Sequence, residues 1–380
     1  MDKDSNIYIN LFSKYSTYMD TIKNINNQRF KNIVRTLFVN FINGYRWSGD
    51  KFKYEYVHIS KYENTNKHLY KSKYVDTNID TYVNKYIKYK VTYMFNIGHR
   101  NITINIATHN KLSDELYSKW IKQIMAWIYV AQIYARQDCG INLNIDIVMT
   151  NLKKCMPKKN AVVGVNNVNS GLSNSCQRNS IILIYRKEEW FKVLIHEIFH
   201  NFGLDFSHNY DYSYNNILDK HLNIKTNILL FETYTEFWAR IINCIHNSMM
   251  LNKLENDFNN FFEYFYILLH FERMLSMYQC VKILSHQNMS YKDIFRHNNY
   301  NEKTNVFAYY IGVSILMDDP VNYILHQNGH TFSLKLEHVE SFYNYFIHKA
   351  ISRQTIQNFD RVSQLIDKMY IKNNRMSLSL

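Results

Sequence analysis

The period of the apolar and polar positions changes several times along the 380 residues, and each change predicts an element. Residues 1–45 carry apolar side chains at helical spacing, clearest through FKNIVRTLFVNFING, so a largely helical start up to Gly44 is predicted. From Lys51 to about Lys88 the chain is dense in Lys, Tyr, Asn and Asp with weak periodicity, which suggests irregular or edge structure. The period then drops to two in KVTYMFNI and ITINIATH, and Gly98-His99-Arg100-Asn101 between them signals a hairpin. SDELYSKWIKQIMAWIYVAQIYARQ returns to a helical period, with Ser113 as N-cap and Asp114 and Glu115 in the first turn. INLNIDIVMT alternates as a half-buried strand does. A polar loop covers 151–179, SIILIYR is a short apolar strand, and KEEWFKVLIHEIFHNF is a helix that stops at Gly203, a natural C′ residue.

Beyond Gly203 the pattern is helical: about 228–246, about 254–284, 303–317, and two further helices. This predicts an α+β half followed by an α half. Three spans result: a basic, partly helical N-terminal region (1–88), a sheet with the histidine-bearing helix (89–203), and a helical region (204–380).

The candidate chemistry lies at the junction, in KVLIHEIFHNFGLDFSH. Residues four apart share a helix face, so His196 and His200 can present two imidazole nitrogens to one point. Neutral imidazole is a favoured zinc ligand. Glu197, turned roughly 100° from His196 by the helix period, can reach a metal-bound water without ligating the metal. Further along, LLFETYTEFWARIINCIH places Glu232 and Glu236 on one face of a mostly apolar helix, where burial is costly unless cations or a metal compensate.

His-Glu-x-x-His followed by Gly203 resembles the zincin metallopeptidases over roughly residues 90–245. IYRKEEWFKVLIHEIFHNFGLDFS also looks like metallopeptidase sequences of large nucleocytoplasmic DNA viruses, in keeping with a composition rich in Tyr, Lys, Asn and Ile. The resemblance implies a twisted mixed sheet, a backing helix, the His-Glu-x-x-His helix and a mainly helical C-terminal subdomain. It implies a zinc ion on His196 and His200, with Glu197 as general base in peptide hydrolysis. Phe206 stands where metzincins place a third histidine, so that class is set aside. Asp205 and His208 are alternative third ligands. The gluzincin pattern points to Glu232 as ligand and Glu236 as acceptor of a hydrogen bond from a ligand histidine; the two roles could be exchanged, since spacing does not orient the helix.

By the same resemblance SIILIYR would be a substrate-pairing edge strand, with Asn169, Ser170 and Gly171 lining the cleft. Tyr309 or Tyr310 would donate to the developing oxyanion; His286, His297 and His330 are further candidates. Cys176 is a candidate inhibitory thiolate on zinc.

Composition adds limits. Five cysteines with no C-x-x-C pair suggest neither a disulfide framework nor a thiolate zinc knuckle, and point to a reducing compartment. No run of eighteen apolar residues and no basic-then-apolar start appear, so a soluble intracellular protein without a membrane partner is expected, in host cytoplasm or virion if viral. The net charge of +13 falls in residues 1–160, which hold 25 Lys+Arg against 12 Asp+Glu. That half is either a solvated surface or a site for an anionic partner such as nucleic acid, although no nucleic-acid motif is present. The alternative to a peptidase is a zincin-fold structural or virion protein of little turnover that binds anionic partners through this half.

Overall fold

The computed structural model describes residues 3–14, 20–49, 53–58, 67–224, 226–296, 299–327, 332, 334–368 and 370–379. Helices α1 (Lys3–Lys14) and α2 (Gln28–Trp47) lead to strand β1 (Lys53–His58) and helix α3 (Ile79–Tyr86). The hairpin β2 (Tyr89–Ile97) and β3 (Arg100–Thr108) is followed by α4 (Asp114–Gln132), β4 (Asn142–Val148), the single turn α5 (Val165–Val168), β5 (Gly171–Ser173), β6 (Asn179–Ile184) and α6 (Trp190–Asn201). The rest is helical: α7 (Asn215–Asp219), α8 (Leu230–Leu251), α9 (Phe258–His286), a π-helical turn (Phe307–Gly312) running into α10 (Val313–Met317), then α11 (Pro320–His326), α12 (Val339–Ala350) and α13 (Arg353–Lys368). Among the described residues three α-helices follow Met317 where two were expected. The extra one, α11, has seven residues and opens on Pro320, too short for a periodic signal.

The strands form one mixed sheet in the order β1-β2-β3-β4-β6-β5. β3, β4 and β6 run parallel, and the flanking pairs are antiparallel. Alternate residues face opposite sides: Ile104, Ile145 and Ile182 enter the main core with α4 and α6, while Ala107, Val148 and Leu183 pack with α3 residues Ile79 and Val83. Trp127 of α4 stacks on Phe199 of α6, with ring centroids 6.0 Å apart. One hydrophobic cluster takes side chains from all three spans, from Tyr8 to Leu378.

Two expectations change here. SIILIYR is not an edge: β6 is paired on both sides, and the edge next to it is the three-residue β5, antiparallel to β6. So short a strand, two of its residues Gly and Ser, has no readable alternation. The cysteines are not all free thiols either, because Cys139 and Cys176 form a disulfide across 37 residues. Sequence spacing does not reveal a pairing made by a loop crossing to the end of α6. Among the described residues no helix is long and apolar enough to cross a membrane.

Candidate metal centre

Helix α6 is buried from Phe191 to Asn201, including His196, Glu197 and His200. It starts at Glu189, whose backbone lies in the left-handed region at φ 57°. That conformation is held by the Glu189 carboxylate, which accepts from the backbone N–H groups of Met376 and Ser377 and pairs with Lys154. The helix ends at Gly203, φ 64°, where a side chain would strike Arg136 Cδ at 2.7 Å and Cys139 Sγ at 3.1 Å. Both ends are therefore fixed by segments distant in sequence.

Helix α8 lies against α6 and brings Glu232 to the histidine pair. His196 Nε2 and His200 Nε2 are 3.0 Å apart, and Glu232 Oε2 is 3.1 Å from the first and 3.3 Å from the second. Donors about 2.0–2.1 Å from one zinc ion at tetrahedral angles lie about 3.3 Å from each other, close to this triangle.

The protonation pattern follows from the other ring nitrogens. His196 Nδ1 donates to Glu236 Oε2 at 3.1 Å, and His200 Nδ1 donates to Asp205 Oδ2 at 2.5 Å. A carboxylate only accepts, so each Nδ1 carries the hydrogen, and in neutral rings both Nε2 atoms present lone pairs to the same point as Glu232. Three acceptors converging there repel one another unless a cation lies between them. Without a metal that cation is a proton. Burial would lower both imidazoles, but hydrogen bonds to Glu232 and Glu236 raise His196, and Asp205 and Glu232 hold His200 well above its usual value. Glu232, despite burial, sits below the usual carboxylate range because of His200 and His196. His196, His200 and Glu232 can hold a metal ion.

The remaining candidates sort by position. Glu236 accepts from His196 and also from Lys192 Nζ, 2.6 Å to each oxygen, and from Arg240 Nε at 3.0 Å, so it lies behind the histidine and not in the triangle. Asp205 likewise sits behind His200, accepting from Thr235 Oγ1 and Ser207 Oγ, and lies outside the triangle. His208 lies outside the cluster. Phe206 is buried among Tyr210, Phe231, Tyr234 and Phe342. Glu197 Oε2 accepts from Ser173 Oγ of β5 at 2.8 Å, and burial raises its pKa above the usual value.

Tyr309 faces the centre, its ring centroid 5.8 Å from that of His196. Tyr310 does not: its hydroxyl donates to the Asn374 carbonyl at 2.6 Å inside the core, since adjacent residues of a helical turn point apart. His286 is spent on the Ala161 carbonyl. His297 and His330 lie outside the described residues. Cys176 offers no thiolate, because its sulfur is bonded to Cys139.

Sequence reasoning missed Lys192, Arg240, Ser173, the part played by Asp205, and Asn305, which donates to Glu232 Oε1 at 3.2 Å. Two signals were present: Lys192 is a lone lysine in an apolar helix, four residues before His196, and Arg240 follows Glu236 by four. An open cleft of about 280 Å3 runs past the triangle, bounded by Gly171, Ser173, Asn169, Phe231 and Tyr309. Comparison with protein-family models, characterised proteins and solved structures finds no match for this chain.

Proposed function

We propose that the protein is a zinc-dependent peptidase of gluzincin type. The observation that carries the reading is the convergence of two imidazole lone pairs and one carboxylate within 3.3 Å, each imidazole oriented by its own buried carboxylate. Histidine nitrogen and one carboxylate suit zinc, which in such sites polarises a carbonyl and lowers the pKa of a bound water towards about 7. Glu232 is the third ligand, and Glu236 and Asp205 fix the imidazole tautomers.

Glu197 is the general base. Its carboxylate adjoins the triangle, is positioned by Ser173, and has a pKa raised by burial, which suits a group that accepts a proton from the attacking water and returns it to the leaving amine. Tyr309 is placed to donate to an oxyanion. Among the described residues β5 pairs on one side only, with β6, so its outer edge can take an extended peptide lying in the cleft.

Two measurements test this. Elemental analysis should find one zinc per chain, lost on His196→Ala or Glu232→Ala. Glu197→Gln should keep the zinc and the fold and slow peptide hydrolysis by roughly 10²–10⁴-fold. A metal-free, inactive wild type that added zinc does not stabilise refutes the proposal. If instead low-salt nucleic-acid binding proves to be its property, the structural alternative stands.

A further inference from the structure

Beside His196 and Glu197 a small recess opens off the cleft, with a volume of about 30 Å3 against about 280 Å3 for the cleft itself. Its walls include Gly171 of β5, Lys192, Val193 and Glu197 of α6, Tyr309, and Met376. A water needs roughly 10–15 Å3 of such space, so the recess takes about two or three heavy atoms and is too small for the four of an isobutyl or the seven of a benzyl group. The Gly171 wall is tight: a Cβ there would lie 2.8 Å from Val193 Cγ1 and 3.1 Å from Glu197 Oε1.

Met376 comes from far along the chain and is firmly seated. Its N–H donates to Glu189 Oε1 at 2.8 Å, its sulfur lies 3.6 Å from Lys192 Nζ, and it is 5% exposed. Two ammonium groups also line the recess, yet each is already paired, Lys192 with Glu236 and Lys154 with Glu189. An acidic side chain would therefore meet no uncompensated positive charge. What remains free is the Ser170 hydroxyl, buried and without a hydrogen-bond partner.

We infer that this recess receives the side chain of the residue that supplies the leaving amine, and that Met376 closes it so that a small side chain such as that of alanine or serine fits and that of leucine or phenylalanine does not. The inference rests on the peptidase reading. The base returns its proton to the leaving amine, so that amine must come within hydrogen-bond reach of Glu197. The side chain, two bonds from that nitrogen by way of Cα, is then beside Glu197, where the recess lies. A serine hydroxymethyl group gains Ser170 as partner.

The test uses zinc-loaded full-length protein and peptides identical except at that residue, set to Gly, Ala, Ser, Leu, Phe or Glu. Wild type should favour Ala and Ser over Leu by roughly 10–200-fold in kcat/KM, the range that small steric differences in a closed pocket produce. Met376→Ala should raise Leu relative to Ala at least about tenfold, and Met376→Leu, of similar volume, should leave the ranking unchanged. Val193→Ala opens the facing wall and serves should Met376→Ala not fold. Calorimetric binding of the same peptides to Glu197→Gln should give the same ranking without turnover. Wild type preferring Leu, Phe or Glu, or both widened variants keeping the wild-type ranking while hydrolysing peptides, overturns the recess assignment alone. Absence of zinc and of all hydrolysis overturns the peptidase reading and the recess with it.

Discussion

Behind His196, the Glu236 carboxylate is shared by Lys192, Arg240 and the imidazole, all buried. Behind His200, Asp205 has no lysine or arginine partner among the described residues: besides the imidazole it accepts from the Thr235 and Ser207 hydroxyls and the Ser207 N–H. The first arrangement joins two helices through charge and continues, by Lys154 and Glu189, into the segment around Met376. The second is closed largely within the turn after α6 and is backed by the Cys139–Cys176 disulfide, Cys176 N–H donating to the His200 carbonyl at 3.0 Å. One imidazole depends on balanced buried charge and the other on local geometry, so the two sides should fail differently.

The largest effect is expected from Lys192→Met. Removing one member of a buried ion cluster leaves Glu236 undercompensated, at a cost of about 3–5 kcal/mol, read as a large fall in denaturant midpoint. Disulfide removal by Cys139→Ala with Cys176→Ala comes next, up to about 4 kcal/mol for a loop of this length; it should act on the His200 side and leave Lys192 chemistry untouched. Asp205→Asn keeps the shape and removes a charge that is balanced by the His200 imidazole and by no lysine or arginine among the described residues. It should cost stability only about 1–3 kcal/mol while weakening zinc binding roughly 10–100-fold. Should Asp205→Asn unfold the protein as readily as Lys192→Met, the contrast between the two sides is lost.

The smallest effect is on pH dependence of the metal-free protein. His196 and His200 titrate above their usual value, so the stability they give is complete below about pH 6.5 and is lost as pH rises through the folded value. Glu232 and Glu236 are held far below their usual value against the raising effect of burial, Glu236 chiefly by Lys192, so their contribution is present above about pH 4.3 and lost as pH falls. Measured against a His196→Ala, His200→Ala double variant, the metal-free wild type should have its largest gain in melting temperature between about pH 5 and 6.5 and lose it as pH rises, and saturating zinc should abolish that loss by taking the imidazole lone pairs. A gain over that variant which grows from neutral to alkaline pH would contradict this.

The strongly periodic segments were legible from the chain. Ser113 caps α4 through Leu116 N–H, Gly203 terminates α6, and α2 buries Phe30, Val34, Leu37, Phe38 and Phe41 as its spacing required. Short pieces were not: α3, β5 and α11 have too few residues for a period to show, while β1 lies at a sheet edge in the stretch read only as irregular or edge structure. Within the site, residues on one helix face were readable, whereas Ser173, Asn305 and Met376 reach it from other segments and carry no local signal.

Sequence alone set His196 and His200 on one face with Glu197 turned aside, because the helical period fixes which side chains meet, and it put Glu232 and Glu236 together on a second helix for the same reason. Tertiary structure decided which of those two acids joins the triangle. The rotation of α8 against α6 turns Glu232 to the Nε2 atoms and leaves Glu236 on Nδ1. It also decided that Asp205 orients His200, that Tyr309 and not Tyr310 faces the cleft, and that Cys139 meets Cys176. Such choices depend on packing between elements distant in the chain, where no local period reports which face turns inward.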